Sequence, residues 1–197
     1  MPAWLRHSNL KAMILNGAKN DGADSVLRLL QSALENRGWE CEVFQPSRMD
    51  LRPCTGCFQC WTRTPGRCAQ KDDSEMIVRA RAHCELMALV SPIRWGSYSP
   101  DLKCALERSI PVLLPFFEFY HGEIHHKMRY PGSPRFIALG ISSASGGEED
   151  VIFRRLVARN LLNFRSAQAA VSVLDRNRPQ DHAGQILAAL AEIGVTS

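Results

Sequence analysis

Three short apolar runs, each followed by a polar or glycine-bearing loop, constrain this chain more than anything else in it. They are Lys11-Ala-Met-Ile-Leu-Asn16, Glu85-Leu-Met-Ala-Leu-Val90 and Arg135-Phe-Ile-Ala-Leu-Gly-Ile141. A strand with one wet face alternates apolar with polar residues. A strand apolar at consecutive positions is covered on both faces, as a central parallel strand is. Parallel neighbours need a crossover, usually a helix, and the intervening segments supply helices. From Asp24, the residues Val26, Leu29, Leu30, Ala33 and Leu34 recur at helical spacing, with Asp24 or Ser25 as N-cap and Gly38 closing the helix. Further helical patterns run over Asp72–His83, Asp101–Ile110, Val151–Phe164 and Asp181–Ile193. Glu40–Phe44 and Ala167–Leu174 read as two more strands. Pro111–Tyr120 is apolar but broken by proline, and fits neither a clean strand nor a long helix. Strands alternating with helices predict a three-layer α/β/α sandwich on a five-stranded parallel sheet. With no linker, repeat or low-complexity stretch, residues 1–197 are expected to form one domain.

Composition narrows the class of function. Hydrophobic content of 45% and charged content of 22% are those of a soluble globular protein. The net charge of +4 is small and its basic residues are scattered, which argues against a nucleic-acid partner. No apolar run reaches about 18 residues, so no membrane span is expected. Met1–His7 lacks the apolar core of a signal peptide. A cytoplasmic setting follows, where thiols stay reduced and clustered cysteines point to metal or redox chemistry.

In open α/β sheets, ligands bind beyond the carboxyl ends of the strands. The first loop, Asn16–Ser25, has glycines for close backbone approach and ends at a helix N-terminus, a setting suited to phosphate. The loop after the third strand, Ser91–Pro100, carries Pro92, Gly96 and the flat side chains Trp95 and Tyr98. Together they point to a phosphorylated planar cofactor. Adjacent His125 and His126 diverge in regular structure and are expected in a loop or interface, not at a metal.

Four of the seven cysteines, Cys54, Cys57, Cys60 and Cys68, fall within fifteen residues. Arg52, Arg63, Arg67 and Lys71 border them, a local positive patch suited to an anionic cofactor or substrate. The C-x2-C-x2-C spacing with a later fourth cysteine is close to ferredoxin runs, so a [4Fe–4S] cluster is one reading. Free or redox-active thiols are another, and zinc or a disulfide a third; zinc more often takes two separated C-x-x-C pairs. Cys41, Cys84 and Cys104 read as small core residues.

Taken in order, the glycine-bearing first loop, the run Cys54-Thr-Gly-Cys57-Phe-Gln-Cys60-Trp61, Asp72-Asp73, the loop Ser91-Pro-Ile-Arg-Trp-Gly-Ser97, Leu102-Lys103 and Glu107-Arg108 resemble the NAD(P)H-dependent FMN reductases of the flavodoxin-like fold. Within them the branch that includes iron–sulfur flavoproteins is the most similar. The resemblance spans Lys11 to Leu174 and implies strand order 2-1-3-4-5. By it, Gly17, Ala18, Lys19, Gly22, Ala23, Asp24 and Ser25 form the FMN phosphate loop, with Asp24 standing where a threonine is expected. Pro92, Ile93, Arg94, Trp95, Gly96 and Ser97 lie along the isoalloxazine ring, and Ser142–Gly147 lies near its other edge. Arg94 and Lys19 are expected to meet the cofactor's negative charge. The family helix bearing Leu102, Lys103, Glu107 and Arg108 implies a homodimer or homotetramer. The implied activity takes hydride from NAD(P)H to the flavin, then passes electrons to a small-molecule acceptor: a quinone, an azo or nitro compound, free flavin or a cluster held by Cys54, Cys57, Cys60 and Cys68. That chemistry requires no catalytic side chain. An electron carrier or redox sensor, and a flavin-free binding protein on the same fold, are the alternatives.

Overall fold

A computed structural model describes residues 10–19 and 23–196. Strands β1 (Leu10–Asn16), β2 (Trp39–Phe44), β3 (Leu86–Pro92), β6 (Arg135–Ser142) and β7 (Ala169–Asp175) form one parallel sheet in the order β2-β1-β3-β6-β7. This is the expected order, with the two strands of an inserted hairpin counted in sequence. Both faces of the sheet are covered because successive strand residues point to opposite sides. Ala12 and Ile14 face a core built with α1 (Ala23–Glu35) and α6 (His182–Glu192). Met13 and Leu15 face a second core, to which α3 (Ser74–His83), α4 (Pro100–Glu107) and α5 (Glu148–Phe164) contribute Ile77, Leu102 and Phe153. The continuous apolar runs of β1, β3 and β6 therefore serve two cores at once. A four-residue helix, α2 (Gln59–Thr62), lies inside the cysteine run.

Sequence reasoning missed a hairpin. β4 (Leu113–Tyr120) and β5 (Glu123–Met128) pair antiparallel outside the main sheet. His121 and Gly122 both adopt positive φ, 49° and 79°, the backbone of a two-residue hairpin turn. A histidine there gave no turn signal, and Pro115 disguised the strand. The register shifts between Leu113 and Phe117, and proline is tolerated at such an irregularity. The segment of His125 and His126 is thus a strand, not a loop, and its two imidazoles do diverge. His125 reaches Glu123 and Asn163, while His126 sits between the rings of Trp61 and Phe117. The hairpin is fastened to α5 by a bidentate Arg159–Glu123 pair at 2.7 and 2.6 Å, and by Arg165, which pairs with Glu118 at 2.9 Å.

Helix boundaries also shift. α1 begins at Ala23, so Asp24 and Ser25 stand in its first turn and do not cap it. α5 begins at Glu148, so Glu148, Glu149 and Asp150 belong to its first turn, where negative charge meets the positive end of the helix dipole. Among the described residues no helix is long and apolar enough to cross a membrane.

Two glycines give opposite predictions for stability. A Cβ on Gly140 would lie 2.6 Å from Phe153 and 2.9 Å from Ile93, so Gly140→Ala is expected to destabilise the fold by about 1–3 kcal/mol. Gly184 lies within α6, and nothing stands within 4 Å of the place its Cβ would take, so Gly184→Ala is expected to stabilise by roughly 0.5–1 kcal/mol. Urea denaturation of the two variants checks both signs.

Candidate functional site

The loops after β1, β3 and β6 meet at the carboxyl edge of the sheet. In the first, Asn16 is fully buried; its Oδ1 accepts from the Ala18 amide at 3.2 Å, while its Nδ2 is buried without a partner among the described residues. Gly17 is required by packing: a Cβ there would come within 2.4 Å of Ser99 Oγ and 2.8 Å of Leu102. Its missing side chain thus lets α4 approach β1. Lys19 pairs with Asp101 in the first turn of α4 at 2.9 Å. Gly22 lies outside the described residues. Ala23, Asp24 and Ser25 open α1, so the first turn of that helix ends this loop.

The second loop is a tight turn on a buried base. Pro92 and Ile93 are buried, and Ile93 belongs to the core, so neither offers its side chain to a ligand. Arg94 and Ser97 exchange backbone hydrogen bonds at 2.9 and 2.8 Å across Trp95 and Gly96. Trp95 has φ 49° and Gly96 φ 71°. A side chain on Gly96 would strike Ile152 of α5 at 2.4 Å. This turn holds the Trp95 ring out in solvent, 88% exposed, an unusual position for the largest apolar side chain. Tyr98, read from sequence as a second flat surface, is instead buried, with its hydroxyl accepting from Asn160 at 3.1 Å. Burial pushes that phenol up to about 12, against the hydrogen bond from Asn160. In the third loop, the Gly146 amide donates to Asp150 at 2.7 Å, closing the turn over the start of α5.

The cysteine run forms a second locus. Cys54, Cys57, Cys60 and Cys68 all line one small cavity, closed by Phe58, Arg108, Ile110 and Pro111. Cys54 and Cys57 are exposed; Cys60 and Cys68 are half-buried, and all seven cysteines of the chain are free. Burial raises the Cys60 thiol, and the neighbouring Cys68, Cys54 and Cys57 raise it further. Hydrogen bonds from the Gln59 amide and Thr55 lower that of Cys57. Among the described residues no three are already set as a metal-ligand group. Trp61 donates to the Leu113 carbonyl at 3.1 Å and stacks on Phe58 and His126, so β4 and β5 form the wall on which this loop rests.

Arg108 is the residue that sequence reasoning misplaces. The family resemblance puts it on an outward helix face, yet it is 1% exposed, one of the largest fully buried side chains. Its guanidinium donates to both carboxylate oxygens of Asp72 at 2.6 and 2.8 Å, to Ser74 Oγ at 2.7 Å and to Cys68 Sγ at 3.2 Å, and also to the Arg52 carbonyl. Leu102 is buried as well, which leaves Lys103 and Glu107, paired with each other, on the outer face. The signal was present: Leu102, Ala105 and Arg108 share one helical stripe, and the first two are core.

Burial alone would raise the Asp72 carboxyl, but hydrogen bonds from Arg108, Ser74 and Arg52 outweigh it and hold the group at about 2. A depressed folded-state pKa contributes stability in full above the unfolded value near 3.8, and loses it as pH falls toward 2. Asp72→Asn should therefore cost stability near neutrality, roughly 2 kcal/mol, and flatten the acid limb of the stability profile between about pH 4 and 2. Chemical denaturation at stepped pH measures both, and an unchanged acid limb would remove Asp72 from this role.

Comparison with known proteins follows the same outline. The family model described as NADPH-dependent FMN reductase matches residues 10–173. An iron–sulfur flavoprotein of Methanocaldococcus jannaschii is 26% identical over 177 residues, covering 89% of this chain and 81% of that one. An iron–sulfur flavoprotein of Archaeoglobus fulgidus is 29% identical over 104 residues, covering 52% of this chain and 46% of that one. Among solved structures, an NAD(P)H:quinone oxidoreductase from Methanothermobacter marburgensis superposes with TM-score 0.68 at 15% identity, covering 96% of this chain and all of that one. An FMN-dependent NADH-azoreductase from Bacillus anthracis, solved in complex with FMN, does so with TM-score 0.63 at 9% identity, over 93% and 95% of the two chains. The structural likenesses establish the flavodoxin-like fold, and the family match across most of the described chain establishes the rest: this chain belongs to the NADPH-dependent FMN reductase family.

Proposed function

We propose that the chain is an FMN-dependent NAD(P)H oxidoreductase that passes electrons to a small-molecule acceptor such as a quinone or free flavin. The observation that carries this reading is the family match over residues 10–173, the span that contains all three loops at the carboxyl edge of the sheet. The residues suit a flavin on two counts. Asn16 keeps a buried amide donor without a partner among the described residues, at the base of the first loop, and Trp95 presents an open ring at the tip of the second. FMN, when bound, supplies the hydride and electron chemistry.

In this reading the first loop, from Gly17, Ala18 and Lys19 through Gly22 to Ala23, Asp24 and Ser25, holds the phosphate with backbone N–H groups at the start of α1. Asp24 would have to keep its carboxylate away from that phosphate, and Lys19, paired with Asp101, would offset its charge. Arg94, Trp95, Gly96 and Ser97 border the ring, on a base made by Pro92 and Ile93. Trp95, exposed at the rim, would offer NAD(P)H a flat surface beside the ring.

A second reading, an iron–sulfur flavoprotein, is favoured by the four thiols on one cavity. Deprotonated together they repel one another, and a [4Fe–4S] cluster on Cys54, Cys57, Cys60 and Cys68 would offset part of that charge and close the ligand set. Phe116, Phe117, Phe119 and Ile124 are exposed on the hairpin, an apolar surface that supports a homodimer or homotetramer covering it. Free thiols throughout suit a reducing compartment such as the cytoplasm.

The visible spectrum of protein purified without oxygen tests these readings together. Flavin bands that bleach on adding NADPH support the first, and a protein that is colourless and takes up no added FMN overturns it. Trp95→Ala, a fully surface change, is expected to weaken FMN binding about tenfold by fluorescence titration. Cys57→Ala is expected to abolish non-flavin iron; iron content equal to wild type would exclude Cys57 as a ligand.

A further inference from the structure

At the opposite end of the sheet, where β3 and β6 begin, lies a cavity of about 450 Å³ lined by Arg81, His83, Glu85, Tyr130, Arg135 and Gln168, among others. That volume suits a small organic molecule. One wall poses an electrostatic problem. Arg81 is only 4% exposed, yet no carboxylate among the described residues pairs with it. Its Nη2 donates to the Phe164 carbonyl at 3.3 Å and its guanidinium meets the Cys84 thiol, while its buried Nε has no partner among the described residues. The Phe164 ring lies 5.7 Å away, a weak cation–π contact.

Buried charges are normally paired, because an isolated one forfeits its hydration without return. The nearest candidates do not supply a counter-charge. Burial pushes the Cys84 thiol up, which keeps it protonated, and Glu85 is exposed with its carboxylate accepting from the Lys11 amide at 2.7 Å. Arg135 also lines the cavity, its guanidinium held by Gln168 at 3.1 Å and lying 5.8 Å from the Trp39 ring. Val112, Met128 and Pro131 give the cavity an apolar side.

We propose that this cavity binds a small organic anion, a carboxylate or phosphate with an apolar body, whose charged head pairs with Arg81 and Arg135. The site lies at the amino edge of the sheet, away from the loops of the flavin reading, and does not depend on that reading. The anion supplies the counter-charge that no carboxylate among the described residues gives Arg81, while the apolar side receives the rest of the ligand.

The test uses the full chain as purified, with any bound flavin left in place. Inorganic phosphate and benzoate are titrated separately by calorimetry, at an ionic strength held constant with chloride. Saturable binding of one or both is expected, and the stronger of the two identifies the head group. Arg135→Gln should weaken it about tenfold. Arg81→Met is the deciding variant. If Arg81 serves a ligand, methionine fills its volume without the buried charge, so binding is lost while the ligand-free thermal midpoint stays level or rises. If Arg81 is a structural element, the same variant lowers the midpoint or fails to fold, and the proposal is overturned. It is equally overturned if neither probe binds saturably, or if binding survives Arg81→Met, since the ligand then sits elsewhere.

Discussion

The buried pair of Arg108 and Asp72 is the interaction on which the sulfur-bearing half of the molecule depends. It joins three stretches remote in sequence: the entry to the cysteine run at Arg52, its exit from Cys68 to Ser74, and the end of α4. A guanidinium taken out of water is costly unless its donors are satisfied, and here it meets oxygen or sulfur in five places. The net stabilisation of such a pair is modest. Its worth lies in geometry, because a bidentate fork fixes direction as well as distance. Cys68 is thereby set facing the cavity shared with Cys54, Cys57 and Cys60.

The parallel sheet was legible because β1, β3 and β6 are apolar at consecutive positions through their middles, as two-sided burial demands, and so was its order once the family resemblance was drawn. What stayed hidden was either irregular or tertiary. The hairpin of β4 and β5 was obscured by Pro115 and by a His-Gly turn that carries none of the usual signals. The charge of Arg108 suggests an outer face, although its position shares the stripe of Leu102 and Ala105; a charge on a buried stripe is informative only once a partner is known, and Asp72 is thirty-six residues away. Gly17 shows the reverse error. Read as room for a phosphate, it is also room for Ser99 and Leu102, a contact invisible until α4 is docked.

The two loci differ in how they are held. The turn carrying Trp95 is fixed by backbone bonds and by the close seat of Gly96 on α5, so an exposed ring is supported by a rigid base. The cysteine run has little regular structure of its own and borrows its shape from neighbours: the hairpin through Trp61 and His126, α4 through Arg108, and α3 through Ser74. Cys68 is tied directly to that frame through its sulfur, by Arg108.

Helix α4 connects these two arrangements. Its first turn is capped by Ser99, presses on Gly17 and carries the Asp101 that holds Lys19; its last residue is followed at once by Arg108. Eight residues at about 1.5 Å each give a rod of about 12 Å. The spacing between the loop edge and the thiols is therefore a property of helical geometry. Neither loop can change it by moving alone, so the gauge between the two centres is set by a single short strut pinned at each end.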